Sequence, residues 1–90
     1  MIQGTQTRLF VGGIAYALTK KEIREAFEEA GDVVDVYLPA DRERGQGRNR
    51  GFCFIEMNTP GDAATAIDLF DQKLRLGPHG SPVGVGFAEG

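Results

Sequence analysis

Apolar residues recur along the chain in two rhythms, one of period two and one of period 3.6. At residues 8–12, Leu9 and Val11 alternate with Phe10, the pattern of a half-buried strand. Thr19 followed three residues later by Glu22 is a capping-box signature, and Leu18 and Ile23 flank it as a hydrophobic staple. Ile23, Ala26, Phe27 and Ala30 then fall on one face of a helix, which Gly31 is placed to end in a left-handed turn. A second strand at about 33–38 puts Val36 and Leu38 on one face and Tyr37 on the other. The Arg/Gly stretch 40–50 reads as a loop, and residues 51–57, dense in Phe and Ile, as a third strand. Thr59 and Pro60 suit the cap and first residue of a second helix, whose stripe is Ala63, Ala66, Ile67 and Phe70. A Gly/Pro loop spans 74–82, and Val83, Val85 and Phe87 alternate as a short last strand.

The element order is therefore β-α-β-β-α-β. It predicts an α+β, ferredoxin-like sandwich: a four-stranded antiparallel sheet with two helices on one face. One side of such a sheet stays open, so large apolar groups there need a reason. In the third strand Cys53, Ile55 and Met57 share one face, while Arg50, Phe52, Phe54 and Glu56 share the other. Periodicity alone does not say which set meets the helices. The aliphatic set is the natural partner of the Ile/Ala/Phe helix stripes. Phe10, Phe52 and Phe54 are then gathered on the open face. Burying one phenylalanine is worth roughly 1.5–3 kcal/mol, so three exposed ones should seek a partner. Unstacked nucleic-acid bases fit, at ~1–3 kcal/mol per stacked base, and Arg50 beside them can pair with phosphate.

These residues also resemble a known family. RNRGFCFIEM at 48–57 resembles the octamer ribonucleoprotein motif of the RNA-recognition motif (RRM) family, and LFVGGI at 9–14 resembles its companion hexamer. The resemblance covers about residues 8–88 and includes both helices and the closing VGVGFA at 83–88. It implies that Phe10, Phe52 and Phe54 stack bases of single-stranded RNA and that Arg50 binds phosphate. The sequence departs from the family pattern in four places. Cys53 stands where Gly or Ala is usual, and Met57 replaces an aromatic. Gly84 and Gly86 occupy open-face positions where the family often has polar side chains. The loop at 74–82 is longer and richer in Gly and Pro than usual.

Composition sets outer limits. Ninety residues make one domain with a small core. The expected division is a flexible N-terminal segment 1–7, the domain at 8–88, and a C-terminal end at 89–90 that stops like a piece cut from a longer protein. One cysteine and one histidine are too few for a structural zinc site or a disulfide framework, and no cofactor is called for. No apolar run approaches a membrane span and the N-terminus lacks a signal-peptide pattern, so a soluble intracellular monomer is expected. The net charge of −3 is unevenly spread. Residues 41–50 carry four arginines against two acids, and the remainder six Lys/Arg against eleven Asp/Glu. Arg42, Arg44 and Arg48 therefore join Arg50 as candidate phosphate contacts, the alternative being a solvated loop paired to Asp41 and Glu43. Tyr37 is expected to be exposed, either against a neighbouring base or against the loop.

Three function classes follow. The first is binding of single-stranded RNA, or single-stranded DNA on the same platform, with a role in RNA processing, stability or regulation. The second is a protein-interaction module of the same fold, using the sheet or the helical face. Catalysis is third and poorly supported. The sole serine and histidine, Ser81 and His79, lie two apart in a Gly/Pro loop where no triad geometry can be held.

Overall fold

The computed structural model describes residues 6–15, 17–40, 49–74 and 82–88. Along the chain it forms β1 (Arg8–Gly12), α1 (Lys20–Phe27), β2 (Val33–Tyr37), β3 (Phe52–Met57), α2 (Pro60–Phe70) and β4 (Gly84–Phe87). The strands make one sheet in the order β2-β3-β1-β4, with every neighbouring pair antiparallel. This is the ferredoxin-like arrangement that the sequence pattern predicts.

Local signals fix the helices. The Thr19 hydroxyl accepts from the Glu22 N–H at 3.2 Å, and the Glu22 carboxylate accepts from the Thr19 N–H at 2.9 Å. Two of the N–H groups that a helix start leaves without partners are thereby satisfied. Thr59 caps α2 by accepting from the Asp62 N–H at 3.0 Å, with Pro60 as the first helical residue. The expectation for Gly31 needs correction. α1 ends at Phe27, and Gly31 has φ 159°, far from the left-handed value of about +57°. Glycine supplies space there, since a Cβ would run into the Asp62 side chain.

The core lies between the helices and one face of the sheet. Leu9 and Val11 of β1, Cys53, Ile55 and Met57 of β3, and Val85 of β4 meet Ile23, Phe27, Ala63, Ala66 and Phe70 of the helices. The Phe27 and Phe70 rings join the two helices edge to face at 4.8 Å. β2 departs from simple alternation. Val33 and Val36, three apart, are both buried, because the pairing with β3 shifts between Val33 and Asp35. The extra residue, Val34, bulges outward and stays exposed. The segment leaving α2 covers the start of the outer edge of β4. Gln72 donates its N–H to Val83 at 2.7 Å, Val83 donates to Leu74 at 2.8 Å, and the Asp71 carboxylate accepts from the Val85 N–H at 2.9 Å.

Two predictions follow from the buried face. Ile55→Ala should lower stability by ~2–5 kcal/mol in chemical denaturation, and Phe54→Ala by much less, because only Ile55 leaves a core cavity. The opposite ranking would reverse the face assignment. Burial pushes the Cys53 thiol up from 9.0 to about 12. The unfolded chain therefore ionises this thiol first, so its contribution to stability is complete below pH 9 and declines as pH rises toward 12. Denaturation of wild type and Cys53→Ala at pH 8 and pH 10.5 should show the larger pH-dependent loss in the wild type.

Candidate nucleic-acid interface

On the uncovered face, alternation in β1 and β3 places Phe10 opposite Phe54 and Gly12 opposite Phe52. Tyr37 of β2 pairs with Phe54 from the other side, and Gly86 of β4 lies beside Phe10. The four rings form a continuous floor. Phe10 and Phe52 stack at 5.8 Å, Phe10 and Phe54 meet edge-on at 5.5 Å, and Phe52 and Phe54 meet at 6.0 Å. Tyr37 and Phe54 lie nearly parallel at 6.3 Å. Each such pair contributes ~0.5–1.5 kcal/mol beyond simple burial, enough to hold the rings in place while leaving their outer faces wet. Phe10 is 40% exposed and Tyr37 62%, with Phe52 and Phe54 half-buried. Gly12 keeps the floor flat, since a Cβ there would press on the Phe10 ring at 3.2 Å. Gly86 leaves open space beside it. The three phenylalanines named from the sequence are therefore one cluster, extended by Tyr37.

At the start of β3 stands Arg50, exposed, with its N–H donated to the Pro39 carbonyl at 3.2 Å. Gly51 follows at φ 91°, a left-handed value that a side chain would oppose. The strand period does not run through Gly51, so alternation alone does not carry Arg50 onto the face of Phe52. Arg42, Arg44, Arg48 and His79 lie outside the described residues. Among the described residues no group of His, Cys, Asp and Glu could hold a metal ion, and no helix is long and apolar enough to cross a membrane.

Sequence reasoning missed Asn49. It is only 2% exposed, the one buried polar side chain among the described residues. Its amide nitrogen donates to the carbonyls of Ala15 at 2.8 Å and Leu18 at 3.1 Å, and its oxygen accepts from the Gly51 N–H at 2.6 Å. The Gly51 carbonyl in turn accepts from Gly13 and Ile14. Asn49 thus pins the connection between β1 and α1 to the start of β3 and fixes the backbone that carries Arg50. A polar residue between two arginines reads as solvated, and the carbonyls its amide nitrogen reaches lie more than thirty positions away in the chain.

The opposite end of the platform is charged differently. Arg8 Nε lies 3.7 Å from Glu56 Oε1, and the Thr7 hydroxyl donates to Glu56 Oε2. Together with Val34, Asp35, Tyr37, Phe54 and Ile55, Arg8 and Glu56 line a groove of about 430 Å³.

Comparison with known proteins supplies an independent view. The family model for the RNA recognition motif matches residues 9–77. The mitochondrial glycine-rich RNA-binding protein 2 of Arabidopsis thaliana is 42% identical over 73 residues, covering 81% of this chain. This chain spans only 45% of that relative's length. The crystal structure of RNA binding protein PG1 superposes with a TM-score of 0.73 at 32% identity, covering 91% of this chain and 93% of that one. The Sxl-lethal protein/RNA complex superposes with a TM-score of 0.79 at 25% identity, covering 91% of this chain and 47% of that one.

Replacing Asn49 tests its anchoring role. Asn49→Ala leaves buried main-chain groups without partners, each worth ~1–3 kcal/mol. Chemical denaturation should show a loss of at least that size. A loss of a few tenths would mean that water or a neighbour takes over the contacts.

Proposed function

This chain belongs to the RNA recognition motif family, and on that footing we propose that it binds single-stranded RNA by stacking bases on the sheet. The observation that carries the reading is the ring cluster Phe10, Phe52 and Phe54, held within 6.0 Å of one another on the face the helices leave bare. An aromatic floor of this kind is expensive to expose and accepts any base, because every base has a flat apolar face. Phe10, Phe52 and Phe54 would stack the bases, and Tyr37 would extend the floor to a further base. Arg50 would neutralise phosphate at the mouth of β3, helped by Arg48, Arg42 and Arg44 of the basic stretch. The Sxl-lethal protein, a structural relative solved in complex with RNA, supports the same reading.

The finer points rest on physical grounds. Stacking is blind to the sugar, so single-stranded DNA should bind too, and RNA is preferred on family membership. The platform is a binding surface and calls for neither a cofactor nor a catalytic residue. The role would be in RNA processing, stability or regulation, by a monomer inside the cell; the mitochondrial relative, by its name, fits that setting. A second reading, a protein-interaction module, draws on Leu69, which is 47% exposed on α2 and offers an apolar contact on the helical side.

Fluorescence anisotropy with a pool of short single-stranded RNAs at stated salt tests the platform. Phe52→Ala and Phe54→Ala should each weaken binding by ~1–3 kcal/mol and leave the fold intact. If the folded wild type does not bind at all, the protein-interaction reading takes first place.

A further inference from the structure

We propose that the groove at the β2 end of the platform is a guanine-reading subsite, with Glu56 as the residue that selects the base. This rests on the RNA reading above and goes beyond it, since stacking alone does not distinguish bases.

The groove has an aromatic floor and a charged wall. Phe54 and Tyr37, 6.3 Å apart and nearly parallel, continue the ring surface into it. Its volume of about 430 Å³ falls within the range of small-ligand pockets. The wall is a row across three strands, with Asp35 opposite Glu56 and Glu56 opposite Arg8. Two carboxylates on neighbouring strands repel each other, and one guanidinium cannot balance both. Such a row repels the phosphates of an approaching strand. It suits the other part of a nucleotide, the edge of a base that offers N–H donors.

Glu56 is held ready for that role. Arg8 Nε lies near one carboxylate oxygen and the Thr7 hydroxyl donates to the other. Each carboxylate oxygen can accept two hydrogen bonds, so both keep capacity for a ligand. As a partly exposed pair at 3.7 Å, Arg8 and Glu56 would contribute little to stability. Together they present two adjacent acceptors with a donor beside them. Guanine alone matches this with two neighbouring donors, N1–H and the 2-amino group, next to the O6 acceptor. Uracil has a single N3–H between two carbonyls, which a carboxylate repels. Adenine and cytosine each offer one amino donor beside a bare ring nitrogen, whose lone pair would face the second carboxylate oxygen.

The test compares three oligonucleotides with this chain by fluorescence anisotropy: an oligouridine, the same strand with one guanosine, and the same strand with inosine in that place. Inosine keeps N1–H and O6 and lacks the 2-amino group. The wild type should prefer guanosine over uridine by roughly tenfold, as a bidentate contact does, with inosine between. In Glu56→Gln, which offers a single acceptor, the guanosine-to-uridine ratio should fall below about threefold. The ratio is the readout because removing a negative charge tightens all RNA binding alike and cancels. Equal binding of the guanosine and uridine strands by the wild type, or a preference that survives in a folded Glu56→Gln, overturns the guanine subsite and leaves the stacking platform standing. Failure of every strand to bind, even where an arginine-rich peptide does, overturns both.

Discussion

The sheet is covered on one side only, and everything else in the molecule follows from how strictly its two sides are kept apart. Leu9, Val11, Cys53, Ile55 and Met57 go to the helices, and Phe10, Phe52 and Phe54 go to the open side. Pairing of β1 with β3 enforces that division, because a slip of one residue would exchange the two sets. The slipped sheet would press three phenylalanine rings into a space shaped for aliphatic side chains and leave the aliphatic set in water. Burial of the core thus selects the register, and the register assembles the ring cluster at no further cost in local geometry.

Charge differs between the two ends of β3. The mouth of β3 carries Arg50 on backbone that Asn49 holds in place, next to the arginine-rich stretch. The far end carries the row Asp35, Glu56 and Arg8. A strand laid across the rings as proposed would meet a mostly negative wall at the end formed by Asp35, Glu56 and Arg8, with Arg50 near the other. That polarity reconciles the family with a net charge of −3. Binding would draw less on general attraction to phosphate and more on how bases fit the floor and the wall. The unusually bare β4 side, with Gly84 and Gly86 beside Gly12 and Phe10, adds flat space with few groups to read a base.

Much of this was legible in the sequence because it depends on near neighbours. The capping box of Thr19 and Glu22, the alternation in β1 and β3 and the Thr59-Pro60 helix start are all set within a few residues. The separation of faces was legible as well, once aliphatic stripes on the helices were matched to aliphatic stripes on the strands. What escaped depends on distant pairing. The bulge at Val34 exists only against β3, and it is why Val33 and Val36 share the buried side. Asn49 is a buried anchor only because Ala15 and Leu18 come to it across the fold. The row Asp35, Glu56 and Arg8 is scattered over nearly fifty positions and becomes a row through strand register alone. Gly31 was assigned to a helix cap when its neighbour Asp62, on another element, sets the requirement.

The partly covered edge of β4 bears on how copies of this domain behave together. A strand with free N–H and C=O groups along its edge is a template for joining sheets end to end. Here the main chain of Gln72 and Leu74 occupies both groups of Val83, and the Asp71 carboxylate occupies the N–H of Val85. At the opposite edge, the Val34 bulge twists β2 out of regular spacing. One border is thus blocked at its start and the other is bulged. Copies held side by side would find only a short, interrupted run at either border on which to extend a shared ribbon.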